Sequence, residues 1–217
     1  MSFIAHSREP SMPRRRASAA VLVAFPALCL GLARAQPGTG AHRPTPSQTE
    51  GPFYPVQLPA DSDYDLLRNG TLRHQGGDPA WVEGTVADLR GQPLAGATVE
   101  IWQCDQSGHY HHPGDGGRAA PAVQGFGRVQ ADAEGRWRFH TLRPVPYSGR
   151  TPHIHFKVRQ GARELLTTQL YVEGAAGNER DFLWRNLGRD DRAALTRPFE
   201  RGADGWRASF PIFVAAA

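Results

Sequence analysis

Cysteine is almost missing from this chain. Only two occur in 217 residues, Cys29 and Cys104, too few for a disulfide-framed fold. Long apolar runs are scarce too. The clearest, Ala17 to Leu32, falls short of the ~20 residues a spanning helix needs and is interrupted by Pro26. No stable membrane anchor is expected from it. Excess charge is a third thing the chain lacks. Lys and Arg total 25 against 21 Asp and Glu, but the first 35 residues hold five arginines and one glutamate. Subtracting them leaves 20 of each sign, so the basic pI of 9.5 belongs mostly to that segment. A neutral remainder gives no reason to expect a nucleic-acid partner.

The first 35 residues have their own logic. Arg14, Arg15 and Arg16 precede the apolar run, and Ala33-Arg34-Ala35 stands before Gln36. A basic start, a short apolar stretch and an A-x-A site predict a cleaved export signal over 1–35. The protein is then periplasmic or secreted, by the twin-arginine or the Sec route. Cleavage leaves Cys104 as the single thiol, and a hydrophobic core must hold one domain of ~180 residues.

Residues 36–79 read as an N-terminal arm. Gln36 to Ser47, rich in Pro, Gly and Thr, suits a flexible segment, and Thr49 to Pro55 suits an extended one packed across another surface. Tyr54 there either lines a pocket or anchors the arm. From Ala80 the pattern alternates with period two. Strands are expected at Trp81–Asp88, Ala97–Cys104, Val123–Val129, Gly135–Leu142, His153–Val158, Leu165–Val172 and Trp206–Val214, separated by Gly/Pro turns. Glu179 to Leu195 reads as a surface helix. The fold expected over 80–217 is all-β, an antiparallel β-sandwich with an extended N-terminal arm and one short C-terminal helix.

Within that frame His153 and His155 share one face of a strand, while Ile154, Phe156 and Val158 share the other. A bare HxH is read equally well as two polar-face histidines or as half a metal site. Tyr147 and Arg150 lie just upstream, beside the turn formers Ser148, Gly149 and Pro152, and Tyr110 closes a second strand-like run. Phenolate is a hard donor, and a highly charged cation is needed to remove a proton that otherwise leaves near pH 10. Two phenolates, two neutral imidazoles and one hydroxide would balance a trivalent ion, a count that selects Fe(III).

Four runs occur in order: TEGPFYP from Thr49, GQPLAGATVEIWQCDQSGHY from Gly91, RPVPYSGRTPHIHFKV from Arg143 and TTQLYVEG from Thr167. Together they resemble the intradiol ring-cleavage dioxygenases, most closely the catalytic beta subunit of the protocatechuate 3,4-dioxygenases and its short exported relatives. The resemblance implies a metal set of Tyr110, Tyr147, His153 and His155 on Fe(III), with Tyr147 the exchangeable ligand. It places Arg150 and Gln169 against the substrate ring. It implies cleavage of a catechol-type diol by O2 to a cis,cis-muconate-type diacid, and leaves open a homo-oligomer or a partner subunit. His109, His111 and His112 match no ligand position. The five residues between Tyr147 and His153 form a shorter loop than the protocatechuate enzymes carry, which implies a more open pocket. The alternative from another class is an exported, non-enzymatic β-sandwich binding module on the same scaffold, since GxVxDxxGxPLxGAxVxI alone identifies only a sandwich.

Overall fold

The structure, a computed structural model, describes residues 41–215. The predicted export signal lies outside them. Twelve strands and two short helices follow one another among the described residues. In chain order they are β1 (Arg68–Asn69), β2 (Leu72–Arg73), β3 (Pro79–Asp88), β4 (Thr98–Trp102), β5 (Phe126–Gln130), β6 (Arg136–Leu142), β7 (His153–Gln160) and β8 (Arg163–Val172). Then come α1 (Phe182–Arg185), α2 (Arg189–Leu195), β9 (Thr196–Arg197), β10 (Glu200–Gly202), β11 (Gly205–Ser209) and β12 (Ile212–Val214).

Two five-stranded sheets face each other. One is ordered β10-β11-β3-β12 with β6 on the other edge of β3; the second is ordered β5-β4-β7-β8-β9. Most pairs are antiparallel, but β11 and β12 run parallel to β3, and β9 runs parallel to β8. Period two does the sorting. Val82 and Val86 of β3, Phe139 of β6, Val99 and Ile101 of β4, and Ile154, Phe156 and Val158 of β7 all point between the sheets and are wholly buried. Phe156 meets Trp137 at 5.3 Å and Phe210 at 5.1 Å between ring centroids, which ties the two layers together. Each such side chain contributes roughly 1.5–3 kcal/mol relative to exposure.

The closing strand expected over Trp206 to Val214 is two strands, broken at Phe210 and Pro211. Proline has no N–H to give to a ladder. At the break the Phe210 carbonyl oxygen presses against Gly84, where a Cβ would stand 2.2 Å from it, so only glycine fits at that point of β3. The stretch read as one helix from Glu179 is likewise divided, into α1 and α2, by Asn186 to Gly188.

The arm is bonded along more of its length than its composition suggests. The segment read as flexible is hydrogen-bonded to the sandwich from His42 onward: His42 N–H to Leu89 O at 2.7 Å, Thr45 N–H to Phe213 O at 2.8 Å and Gln48 N–H to Thr167 O at 2.9 Å. Its prolines, which carry no donor, let it lie extended without leaving buried N–H groups unpaired. Beyond Gln48 the arm passes over the outer face of the β4-β7-β8 sheet, with Gly51 beside His155 and Tyr54 bonded to Glu100.

Candidate metal centre

His153 and His155 of β7 project from the outer face, opposite the core residues Ile154 and Phe156, and both are about 1% exposed. Their register fixes their neighbours: His153 lies across from Tyr171, and His155 lies between Trp102 of β4 and Gln169 of β8. Trp102 stacks on the His155 ring at 4.8 Å and 9°. His153 Nδ1 sits 2.7 Å from the Thr151 carbonyl, so that nitrogen carries the proton and Nε2 keeps its lone pair. The two Nε2 atoms are 3.2 Å apart.

Tyr147 arrives from a tight turn. Ser148 and Gly149 both have positive φ, 44° and 79°, and the Arg150 N–H donates to the Tyr147 carbonyl at 2.7 Å. That φ is rare for a serine and is held by the two-residue turn it closes. Tyr110 comes from a loop after β4, not from a strand, and two aspartates shape it. Asp105 accepts from the N–H groups of Ser107, His109 and Ala120, and Asp115 accepts from Tyr110 N–H at 2.8 Å. His112 caps the following turn by accepting from Gly114 N–H, and His111 lies 3.0 Å from the Ala120 carbonyl. These histidines are loop supports.

The four rings form a closed circuit. Tyr110 to Tyr147 is 5.0 Å between centroids, Tyr147 to His153 5.5 Å, His153 to His155 4.8 Å, and His155 back to Tyr110 6.3 Å. The arm roofs it. Gly51 passes so near His155 that a Cβ would lie 3.3 Å from Cε1, and its φ of 72° also favours glycine. Phe53 stacks on Tyr110 at 4.6 Å. Tyr54 is an anchor: it donates to Glu100 Oε2 at 2.9 Å and lies beneath the Lys157 ammonium, itself paired with Glu50 and Glu164. A cleft of about 830 Å³ over Trp81 and Arg136 opens on the other sheet and carries none of these residues.

Comparison with known proteins decides the family. The family model described as a dioxygenase matches residues 49–191. The chain belongs to the intradiol dioxygenase family. It is 32% identical to the hydroxyquinol 1,2-dioxygenase of Rhodococcus opacus over 154 residues, 63% of this chain and 49% of that protein. It is 35% identical to the protocatechuate 3,4-dioxygenase beta chain of Burkholderia cepacia, over 57% of each chain. The chain thus spans about half the length of these curated relatives. Among solved structures, the dioxygenase domain of a dioxygenase–carbohydrate-binding protein fusion from Streptomyces sp. SirexAA-E superposes with a TM-score of 0.65 at 30% identity. That match covers 81% of this chain and 100% of the other.

An intradiol dioxygenase site invites a test of whether these residues suit a metal. Tyr110 is buried with its hydroxyl unpartnered, and His155 Nδ1 is unpartnered as well. A buried phenol without a hydrogen bond is costly unless something absent from the protein itself meets it. Burial pushes Tyr110 well above the ordinary tyrosine value and raises Tyr147 too, so neither phenol ionises without a strong cation. Among the described residues no group of three His, Cys, Asp or Glu side chains gathers to bind a metal. The donor set is two imidazoles and two phenols, and it fits a hard trivalent ion.

Sequence reasoning missed what holds Arg150. Its Nε donates to Asp181 Oδ2 at 2.7 Å and its Nη2 to Gln169 Oε1 at 2.7 Å. Gln169 donates onward to the Thr49 carbonyl of the arm at 2.9 Å and accepts from Tyr171 Oη at 3.0 Å. Asp181 would be raised by burial alone, but the Thr151 N–H, Arg150 and the Trp184 N–H together hold it below the ordinary carboxylate value.

The histidines give a pH prediction for the metal-free protein. Burial, then the Arg150 charge, lowers His153 to about 4, and burial with His153 beside it holds His155 well below the ordinary histidine value. An unfolded chain takes up these protons near pH 6.5, while the folded chain refuses them. Stability is therefore complete above about pH 6.5 and falls as pH drops toward 4. Urea titrations across that range should show the midpoint falling, and a flat midpoint would contradict the burial of the pair.

Proposed function

We propose that this chain is a non-haem Fe(III) intradiol dioxygenase, opening a catechol-type diol with O2 between its two hydroxylated carbons to give a cis,cis-muconate-type diacid. The observation that carries this reading is the closed circuit of two phenols and two imidazoles beneath the arm. Tyr110, Tyr147, His153 and His155 would hold the ion. Two tyrosinates and a hydroxide would balance its three charges, and when bound it would supply Lewis acidity toward the diol.

The residues divide the remaining work. Tyr147 is half-buried at the edge of the circuit, whereas Tyr110 is sealed under Phe53. Tyr147 is thus the phenol that would exchange, and its Oη would accept one of the two catechol protons. Arg150 carries a permanent charge and meets the negative charge that builds on the ring carbon under attack. Gly51 and Phe53 keep bulk water from His155 and Tyr110. A binding module on the same scaffold would have no use for two buried phenols and two buried imidazoles gathered in one circuit.

With a catechol in labelled oxygen, the product should be the intradiol diacid bearing two atoms from O2. Mass analysis reads this directly, and a semialdehyde from cleavage beside the diol would overturn the reading. The protein is also proposed to be exported. Its mature N-terminus should be Gln36, read by mass spectrometry of the native protein; an intact Met1 in the cytosol would refute it.

A further inference from the structure

We propose that Asp181 is a positioning residue for this chemistry, presenting the Arg150 guanidinium to the metal side of the site. The proposal rests on the dioxygenase reading above. Asp181 lies 31 positions after Arg150 and its side chain is wholly buried. Oδ1 accepts from Leu183 N–H at 2.9 Å and Trp184 N–H at 3.1 Å, which caps α1. Oδ2 is turned the other way, accepting from Arg150 Nε at 2.7 Å and from Thr151 N–H at 2.8 Å. One carboxylate thus ties the start of α1 to the two residues that lead into the histidine strand.

A helix cap does not need this. Ser, Thr or Asn would serve α1 as well, because only one side-chain oxygen faces the helix. Four N–H donors, one of them from a cation, do require a carboxylate. The result is a two-point hold on the fork. Asp181 fixes Nε, and Gln169 fixes Nη2. Of the five guanidinium N–H groups two are committed, and no other hydrogen bond from this side chain occurs among the described residues. A cation beside a ferric ion is repelled by it, and Asp181 supplies the counter-charge that keeps Arg150 in place. The tie continues through Gln169 to the Thr49 carbonyl, so the same chain of contacts reaches the arm that roofs the site.

The test uses full-length, iron-loaded protein carrying Asp181→Asn, Asp181→Glu and each of these combined with Arg150→Ala. Asn keeps an oxygen for the cap but turns an N–H2 toward donors. Glu keeps the charge and moves the fork by one methylene. Both should retain iron and lose roughly 10- to 100-fold in turnover, the usual effect of removing a partner that orients a site residue. KM should rise by no more than about tenfold. In the R150A background neither should cost more than about threefold further, because a residue acting through Arg150 has nothing left to position. Equal losses in both backgrounds would overturn the proposal, as would loss of iron or of fold in both variants, since the carboxylate would then be structural. If the wild type turned over no catechol, the dioxygenase reading would fail separately. Positioning would then be judged from the affinity of iron-loaded protein for 4-nitrocatechol, which D181N must weaken about tenfold only when Arg150 is present.

Discussion

Replacing His155 by alanine should give a folded, colourless protein with no retained iron and no turnover above background. Two of the four donors of the proposed centre are the Nε2 atoms that meet at 3.2 Å. Removing either leaves one imidazole and two phenols that burial keeps protonated. The fold should survive, because Ile154 and Phe156 on the opposite face carry the core. His153→Ala should behave alike. The tyrosines should differ from each other: Tyr110→Phe, under Phe53 and deep in the circuit, should lose more iron than Tyr147→Phe at its edge. Iron stoichiometry, visible absorbance and turnover on the same preparations decide the matter. A wild type that is colourless and binds stoichiometric zinc would falsify the iron assignment.

The local half of this site was legible in the sequence. Period two put His153 and His155 on one face and Ile154, Phe156 and Val158 in the core, and Ser148-Gly149 announced the turn that sets Tyr147 against Arg150. Such features depend on neighbours within a few residues. What the sequence hid depends on partners far along the chain. Asp181 looked like part of a surface helix, and only the packing of α1 brings it to Arg150. Nothing local sets Glu100 and Lys157 apart from other charges on the polar faces of their strands. They are buried, because Tyr54 and Glu50 of the arm close over them. The bonds that residues 42–47 of the arm make to the sandwich were hidden for the same reason. Proline and glycine predict a loose segment, but donor-poor backbone is also what can lie across a sheet without stranding N–H groups. Tyr110 was assigned to the site by its motif alone, and its loop geometry rests on Asp105 and Asp115, whose role no local pattern shows.

Arg150→Ala should separate catalysis from metal binding. Arg150 is not a ligand, since guanidinium has no acceptor lone pair to give. Iron content and colour should therefore persist. Stability should fall by roughly 3–5 kcal/mol, because Asp181 stays buried without its charged partner. The cap on α1 and the Thr151 contact remain, so the fold should hold at moderate temperature. Turnover should drop roughly 100- to 1000-fold, as for the loss of one pre-organised donor facing developing charge. Lysine is the informative substitution. An ammonium can neutralise Asp181 and recover much of the stability, but it cannot engage Asp181 and Gln169 at once and still present a planar fork. Arg150→Lys should thus regain stability more fully than turnover. If Arg150 serves only as the counter-ion of Asp181, both should return together. Thermal melts, bound iron, kcat and kcat/KM on the three proteins distinguish these outcomes. Undiminished turnover in Arg150→Ala at full iron loading would remove the catalytic role, and lost iron would make Arg150 a structural support of the metal strand.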